Sequence, residues 1–373
     1  MPPQVICCGL SCVDMQLHEC DVPQTLESIV RFGKTTFAAG GSAPQTARAL
    51  AALSVQTSAL TVIGTDPHGD TLRNLLISSG VDVSTLIRDA SSGTALAVLP
   101  LFSDGTRGCF VTLGANVSAT VDSLLSRSVV AEAFTSKLRV FHFGYPHLMP
   151  NLRGTNLRRL FEHVREVAPN ALLTLDVNGA DEQETPENPI LLPALELVAA
   201  VHANLEEACT ISGLASPTTA ASLSAKDIEP IVRWFTNHGA EIACITCGKD
   251  GMFAATGGSE TDPDNIEKQH LSPVLERGAF IYRSALDVTV ATKVNASGAG
   301  DAFIGGVIAE LVDTRGSRGI RRVADAGLVG ALYCIDSSFA KANPSPTIAS
   351  LLEKADGLSR IPPRAGLRPP GAD

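Results

Sequence analysis

The chain has 373 residues, enough to bury a large core, and its 45% hydrophobic residues, 18% charged residues and 32 glycines fit a soluble α/β protein with many tight turns. A formal net charge of −10 argues against nucleic acid or an anionic membrane as partner, and no run approaches the roughly 20 apolar residues of a membrane span. The N-terminus runs straight into Val5-Ile6-Cys7-Cys8-Gly9 without a basic leader, and nine irregularly spaced cysteines outline no disulfide framework, so a cytoplasmic location is expected.

The first predicted strand is Val5–Gly9. Five residues on, Asp14 places a carboxylate where a sheet presents its ligands, although most Asp residues are simply solvated. Residues 12–38 carry no helical period. Gly40-Gly41-Ser42-Ala43-Pro44-Gln45 then opens a helix over 44–53 with Pro44 in its first turn; the bare glycines admit a polyol to the backbone and Gln45 offers amide hydrogen bonds. A strand over 58–63 and a helix over 69–79 follow. Residues 95–113 read as two strands joined at Asp104-Gly105, and with 12–38 they form a small β excursion able to cover a site as a lid.

Strands over 140–143, Leu172–Asp176, 197–203 and 242–247 alternate with helices over 152–167 and 228–238, which predicts a mostly parallel sheet with helices on both faces and ligands beyond the strands' carboxyl ends. Asn204-Leu205-Glu206-Glu207 opens a helix after a strand. Asn204 and Glu207 suit a capping box, and Glu207 also suits a role beside the water shell of a Mg²⁺ ion. Cys244 and Cys247 have C-x-x-C spacing, but an offset of three on a strand points them to opposite faces, so they are expected to be buried thiols. Thr246-Cys247-Gly248-Lys249-Asp250-Gly251 ends that strand with two glycines, suited to backbone contact with a nucleotide or to a hairpin.

Near the C-terminal end, Val288, Val290 and Val294 share a period of two, and Asn295-Ala296-Ser297-Gly298-Ala299-Gly300-Asp301 leads into an apolar helix. The Gly298-Ala299-Gly300 turn lacks bulk, so N–H groups at the helix start could approach a phosphate, and Asp301 beside them could take a proton from an attacking hydroxyl. A bare tight turn is the plainer reading of the same residues. The proline-rich stretch 361–373 is expected to be a disordered tail.

These segments together resemble the ribokinase, or PfkB, family of carbohydrate kinases. The residues carrying the resemblance are 40–53 with Ile63-Gly64-Thr65-Asp66-Pro67-His68-Gly69, then Gly80-Val81-Asp82, Asp104-Gly105-Thr106-Arg107, Gly114-Ala115-Asn116, Asp176-Val177-Asn178, Thr246-Cys247-Gly248 and 295–308, in that order. The resemblance implies one kinase domain over 1–360: a Rossmann-like α/β core with a small β lid over about 12–38 and 95–113. It implies transfer of the ATP γ-phosphate to a sugar hydroxyl, with Asp301 as catalytic base and Gly298, Ala299 and Gly300 as anion hole. Asp14, Gly41, Ser42 and Gln45 would contact the sugar, Thr246, Gly248 and Gly251 the nucleotide, and Asn204 and Glu207 would support Mg²⁺. Pairing of lids would make a homodimer. Two departures stand out: Gln45 where the family usually has Asn, which bears on the acceptor, and Asn295-Ala296 where it commonly has Asp-Thr. Losing an acid at Asn295 predicts only weak stimulation by K⁺. A nucleoside kinase of the same fold and a non-catalytic kinase-like binding protein are the alternatives.

Overall fold

The computed structural model describes residues 2–25, 27–179, 182–258, 270–272, 275–287, 297–362 and 364–367. In chain order the strands are β1 (Val5–Gly9), β2 (Cys12–Cys20), β3 (Lys34–Gly40), β4 (Thr57–Leu60), β5 (Val62–Gly64), β6 (Ile87–Asp89), β7 (Leu96–Phe102), β8 (Phe110–Thr112), β9 (Val140–Gly144), β10 (Leu172–Asp176), β11 (Ala200–Asn204), β12 (Ile242–Thr246), β13 (Met252–Thr256) and β14 (Phe280–Arg283). The helices are α1 (Ser42–Ala52), α2 (Pro67–Ser78), α3 (Val121–Leu125), α4 (Ser128–Ala133), α5 (Thr155–Val167), α6 (Leu205–Ser212), α7 (Ala225–Asn237), α8 (Ala299–Thr314), α9 (Ile320–Ile335), α10 (Ser337–Ala342) and α11 (Ile348–Ala355).

Eight strands make the central sheet in the order β14-β13-β12-β11-β10-β9-β1-β4, parallel except where β13 and β14 turn antiparallel at one edge. Strand alternation divides the core. In β1, Val5 and Cys7 join the apolar layer under α1, α2, α8, α9 and α11, while Ile6 and Cys8 join the layer under α3 to α7. Cys244 packs in the first layer and Cys247 against the second, as their odd spacing on one strand requires.

Helix starts follow local chemistry. Asp66 caps α2 by accepting from the Gly69 N–H, with Pro67 in the first turn. Asn204 and Glu207 cap α6 reciprocally, as do Ser224 and Asp227 for α7. Against these, α8 begins at Gly298 in the left-handed region (φ 78°), a glycine that has no side chain to cap it.

A second sheet, β3-β2-β7-β8, is the small β excursion expected from 12–38 and 95–113. Its roots are held by polar side chains. Asn116 Oδ1 accepts from Ser11 N–H (3.1 Å) while its Nδ2 donates to the Ser11 carbonyl (2.8 Å), and Asp66 accepts from both the N–H and the hydroxyl of Thr94 at 2.7 Å.

Three expectations are corrected. The strand over 197–203 begins only at Ala200, because Leu192–Leu197 with Pro193 in its first turn forms a 3₁₀ helix. Residues 58–63 are two strands, β4 and β5, the second paired with β6 instead of the central sheet. The stretch expected to be disordered from 361 is packed over 364–367: Arg364 Nε donates to Asp250 (3.1 Å), the Gly366 carbonyl accepts from Ala225 N–H (2.9 Å), and Leu367 is fully buried. The strand expected over 288–294, and Asn295 and Ala296, lie outside the described residues.

Candidate active site

The C-terminal ends of β9 to β12 carry a polar column on the face that α1 and α8 cover. Side chains two apart on a strand share a face, so His142, Thr174, Asp176, His202 and Thr246 all point toward these helices. His142 Nδ1 pairs with Thr174 Oγ1 at 3.0 Å. His202 Nδ1 meets Asp176 Oδ1 at 2.9 Å and its Nε2 meets Thr246 Oγ1 at 3.2 Å. An ionised carboxylate only accepts, so this contact suits the tautomer with its proton on Nδ1. The His202 ring stacks on Phe303 of α8 with centroids 4.9 Å apart.

Above this column sits Asp301, in the first turn of α8 and 3% exposed. Its two oxygens each lie 3.2 Å from the Tyr145 hydroxyl, which can only donate to an ionised carboxylate. Burial pushes the Asp301 carboxyl well above the ordinary range, and the charges of Asp176 and Glu207 push the same way; the Tyr145 hydrogen bond and its own N–H oppose them. Asp301 thus holds a proton more readily than a surface carboxylate, which suits a general base.

The neighbouring turn is Gly298-Ala299-Gly300. A Cβ on Gly300 would lie 3.4 Å from His202 Cε1, and one on Gly298 would lie 3.5 Å from Gln45 Nε2, so the turn is closed in by polar side chains. Gln45 is itself tethered, its Oε1 accepting from Arg48 Nη1 at 3.1 Å. Arg48 and Arg107, the latter on the lid hairpin, both oppose the rise that burial imposes on Asp14. Asp14 lies on β2 against Gly40, where a Cβ would come within 2.0 Å of its Oδ1. Gly41 (φ 84°) is required as glycine, because a Cβ would fall 2.5 Å from the Leu10 carbonyl. Ser42 is fully buried, its hydroxyl filling the space where a side chain on Gly144 would stand.

Beyond Ala299 and Gly300 opens a largely apolar cavity of about 480 Å³, lined by Thr246, Gly248, Lys249 and Gly251 on the sheet side and by Phe303, Leu328, Ala331, Leu332 and Ile335 from α8 and α9. All three residues expected on the nucleotide side therefore line one hollow that also reaches Ala299 and Gly300. A shallower hollow of about 530 Å³ lies at the opposite end of the sheet around Gln4, Arg139 and Asp313, away from every expected site residue.

Asn204 and Glu207 are committed to backbone. Asn204 Oδ1 accepts from Glu207 N–H (2.9 Å), Glu207 Oε2 from Asn204 N–H (2.8 Å) and Glu207 Oε1 from Gly179 N–H (2.6 Å). Among the described residues no three His, Cys, Asp or Glu side chains converge to grip a metal directly. Yet burial and Asp176 raise Glu207 just as burial, Asp176 and Glu207 raise Asp301, and among the described residues Asp176 Oδ2 is buried without a hydrogen-bond partner. Asp176 and Glu207, short of positive charge and with their oxygens partly occupied, fit a hydrated divalent cation held through its waters.

Sequence reasoning missed Tyr145, His202 and Arg48, and the apolar wall from α9. One signal was available: Tyr145 directly follows the carboxyl end of β9, where α/β sheets present ligand contacts.

A model of the pfkB family of carbohydrate kinases matches residues 3–274. The ribokinase of Staphylococcus aureus (strain COL) is 24% identical over 276 residues, 73% of this chain and 74% of that protein. The Arabidopsis thaliana ribokinase solved with ribose and ATP superposes with a TM-score of 0.70 at 18% identity, over 95% of this chain and 99% of its own. A nucleoside kinase of Methanocaldococcus jannaschii, an archaeal member of the ribokinase family, gives 0.61 at 16% identity over 95% and 98%.

Proposed function

This chain belongs to the pfkB family of carbohydrate kinases, and from that premise we propose that it transfers the γ-phosphate of ATP to a sugar hydroxyl, with Asp301 as general base. One observation carries the reading: a buried carboxylate of raised proton affinity stands beside the N–H groups that open α8, where an apolar hollow of about 480 Å³ ends. The acceptor's hydroxyl proton passes to Asp301, its oxygen forms a bond to the γ-phosphorus, and the bond from that phosphorus to the bridging oxygen breaks, ADP leaving with the electron pair. The N–H groups of Ala299 and Gly300 stabilise charge on the transferring group. The hollow takes the nucleoside end of ATP, with Thr246, Gly248 and Gly251 along the phosphate side. Asp14, Gly41 and Gln45 orient the acceptor; Ser42 can contribute through its backbone. Mg²⁺ held through water near Glu207 and Asn204 would neutralise the phosphates.

Asp301→Asn tests the base directly: kcat falls by on the order of 10² or more with ATP binding retained. A folded variant with near-wild-type turnover refutes the assignment. The acceptor comes from a coupled ADP-release screen over pentoses, hexoses, ketoses, sugar acids and nucleosides. ADP release with nucleosides alone would give the nucleoside-kinase reading, and none with any acceptor would favour a binding protein.

The reading includes a cytoplasmic, single-domain kinase that pairs through its lid. Support for pairing comes from the lid's exposed apolar residues, Phe37 at 46%, Phe110 at 69% and Val111 at 53%. Phe110→Asp is then monomeric in sedimentation while the wild type is a dimer; identical masses for both would overturn the pairing.

A further inference from the structure

We propose that Tyr145 is a positioning residue for the base: its phenol, shared between both oxygens of Asp301, holds that carboxylate in one orientation. The inference rests on the reading of Asp301 as base.

Two equal distances of 3.2 Å place the hydroxyl on the bisector of the carboxylate, which opposes rotation about the bond carrying it. The backbone is arranged for this. Tyr145 is a non-glycine residue in the left-handed region (φ 63°, ψ 51°), a conformation that costs free energy and collects at functional sites. It is kept there by its N–H on the Asp176 carbonyl (3.0 Å) and its carbonyl under the Leu148 N–H (3.1 Å). The ring packs against the apolar layer under α3 to α7, a task phenylalanine would perform as well, so packing leaves the hydroxyl unexplained. Of the three tyrosines in the sequence, Tyr282 and Tyr333 direct their hydroxyls to backbone carbonyls.

Tyr145 does not itself serve as base. Burial, and then the charge of Asp301, push its phenol well above the ordinary value, so it keeps its proton and remains a donor. Among the described residues, the titratable and charged groups near Asp301 are Asp176 on β10, Glu207 on α6, Cys7 on β1, Cys12 on β2 and Cys334 on α9, with Arg48 of α1 acting on that last thiol and His202 behind Asp176. The thiols are raised by burial and stay neutral, Cys7 to about 12. Asp176 and Glu207 disfavour a charge on Asp301. Among the described residues, the Tyr145 hydroxyl and the Asp301 N–H favour the ionised, proton-accepting form.

Removing that hydroxyl raises the proton affinity of Asp301, so the acid limb of kcat/KM moves to higher pH. Tyr145→Phe should lose on the order of tenfold more activity on the acid side than on the alkaline plateau, where KM for the acceptor is unchanged. A residue that merely packs would lower activity by one factor at every pH. The second readout needs no turnover: ¹³C NMR of the Asp301 carboxyl, assigned with Asp301→Asn, titrates at higher pH in Tyr145→Phe. Should that variant fail to fold, wild-type protein in which all tyrosines are 3-fluorotyrosine provides a stronger donor, and the Asp301 titration moves to lower pH. An Asp301 titration unchanged in either protein overturns the role of Tyr145; wild-type protein inactive on every acceptor overturns the kinase reading, and the carboxyl titration still judges the contact.

Discussion

The seam between α8 and α9 is closed by glycine, and Gly306→Ala would test whether it sets the position of Asp301. A Cβ on Gly306 would lie 2.2 Å from the Ala326 carbonyl oxygen and 2.9 Å from its carbon, and one on Gly330 would lie 2.5 Å from the Ala302 carbonyl oxygen. Both obstacles are backbone, which cannot swing aside like a side chain. Restoring ordinary contact separates the helices by roughly 1 Å. Overpacking of this kind costs about 1–3 kcal/mol, here toward the upper end, and the better helix propensity of alanine returns about 1 kcal/mol. A net loss near 2 kcal/mol remains, a fall in Tm of roughly 2–3 °C for a chain of 373 residues. On its other side α8 meets α1, where a Cβ on Gly305 would touch Ala49 at 3.1 Å, so α8 has little freedom to absorb the push without shifting its first turn. A displacement near 1 Å at reacting groups can lower turnover by on the order of 10². The assay pairs thermal melts with steady-state kinetics on the acceptor found by the screen, using Gly357→Ala, with no neighbour closer than 4.0 Å, as control. Unchanged Tm and kcat in Gly306→Ala would refute the backbone contact. A lower Tm with wild-type kcat would show that the seam does not hold the base.

Glu207→Gln has two consequences. A carboxylate accepts from both Gly179 and Asn204, whereas an amide has one acceptor oxygen, so the variant loses about 1–3 kcal/mol in melts. Its Mg²⁺ half-saturation also rises, and a magnesium titration superimposing on the wild type would reduce Glu207 to a helix cap. Ala331→Phe fills part of the apolar hollow. KM for ATP then rises on the order of tenfold, about 1.4 kcal/mol, with KM for the acceptor unaltered; equal changes in both would mean that the hollow is not the nucleotide site.

What the sequence made legible was local. A strand's period, a proline at a helix start, and the Gly298–Gly300 turn each depend on a few adjacent residues, and the structure has the corresponding elements. The sheet and lid followed from the same signals. Contacts across the chain were not legible. Tyr145 and Asp301 are 156 positions apart, and no pattern at either position specifies the other. His202 lies inside a run that reads only as a buried strand, because its partners Asp176 and Thr246 come from the two flanking strands. Glu207 was half legible: the capping box is a local pattern, while the second acceptor contact to Gly179 depends on how β10 ends beside α6.

The crowding of Asp176, Glu207 and Asp301 bears on how long an unoccupied molecule lasts. An acid whose proton affinity is raised on folding opposes folding once ionised: the unfolded chain releases its proton first, and stability falls as pH rises from the ordinary carboxylate value toward the raised one. Asp301, Glu207 and Asp14 all act in this sense. At neutral pH the empty enzyme therefore carries a burden that any bound cation relieves, and the folded fraction rises with ligand occupancy. Where proteolysis acts on opened chains, copies whose carboxylates have no cation beside them are removed sooner than occupied ones.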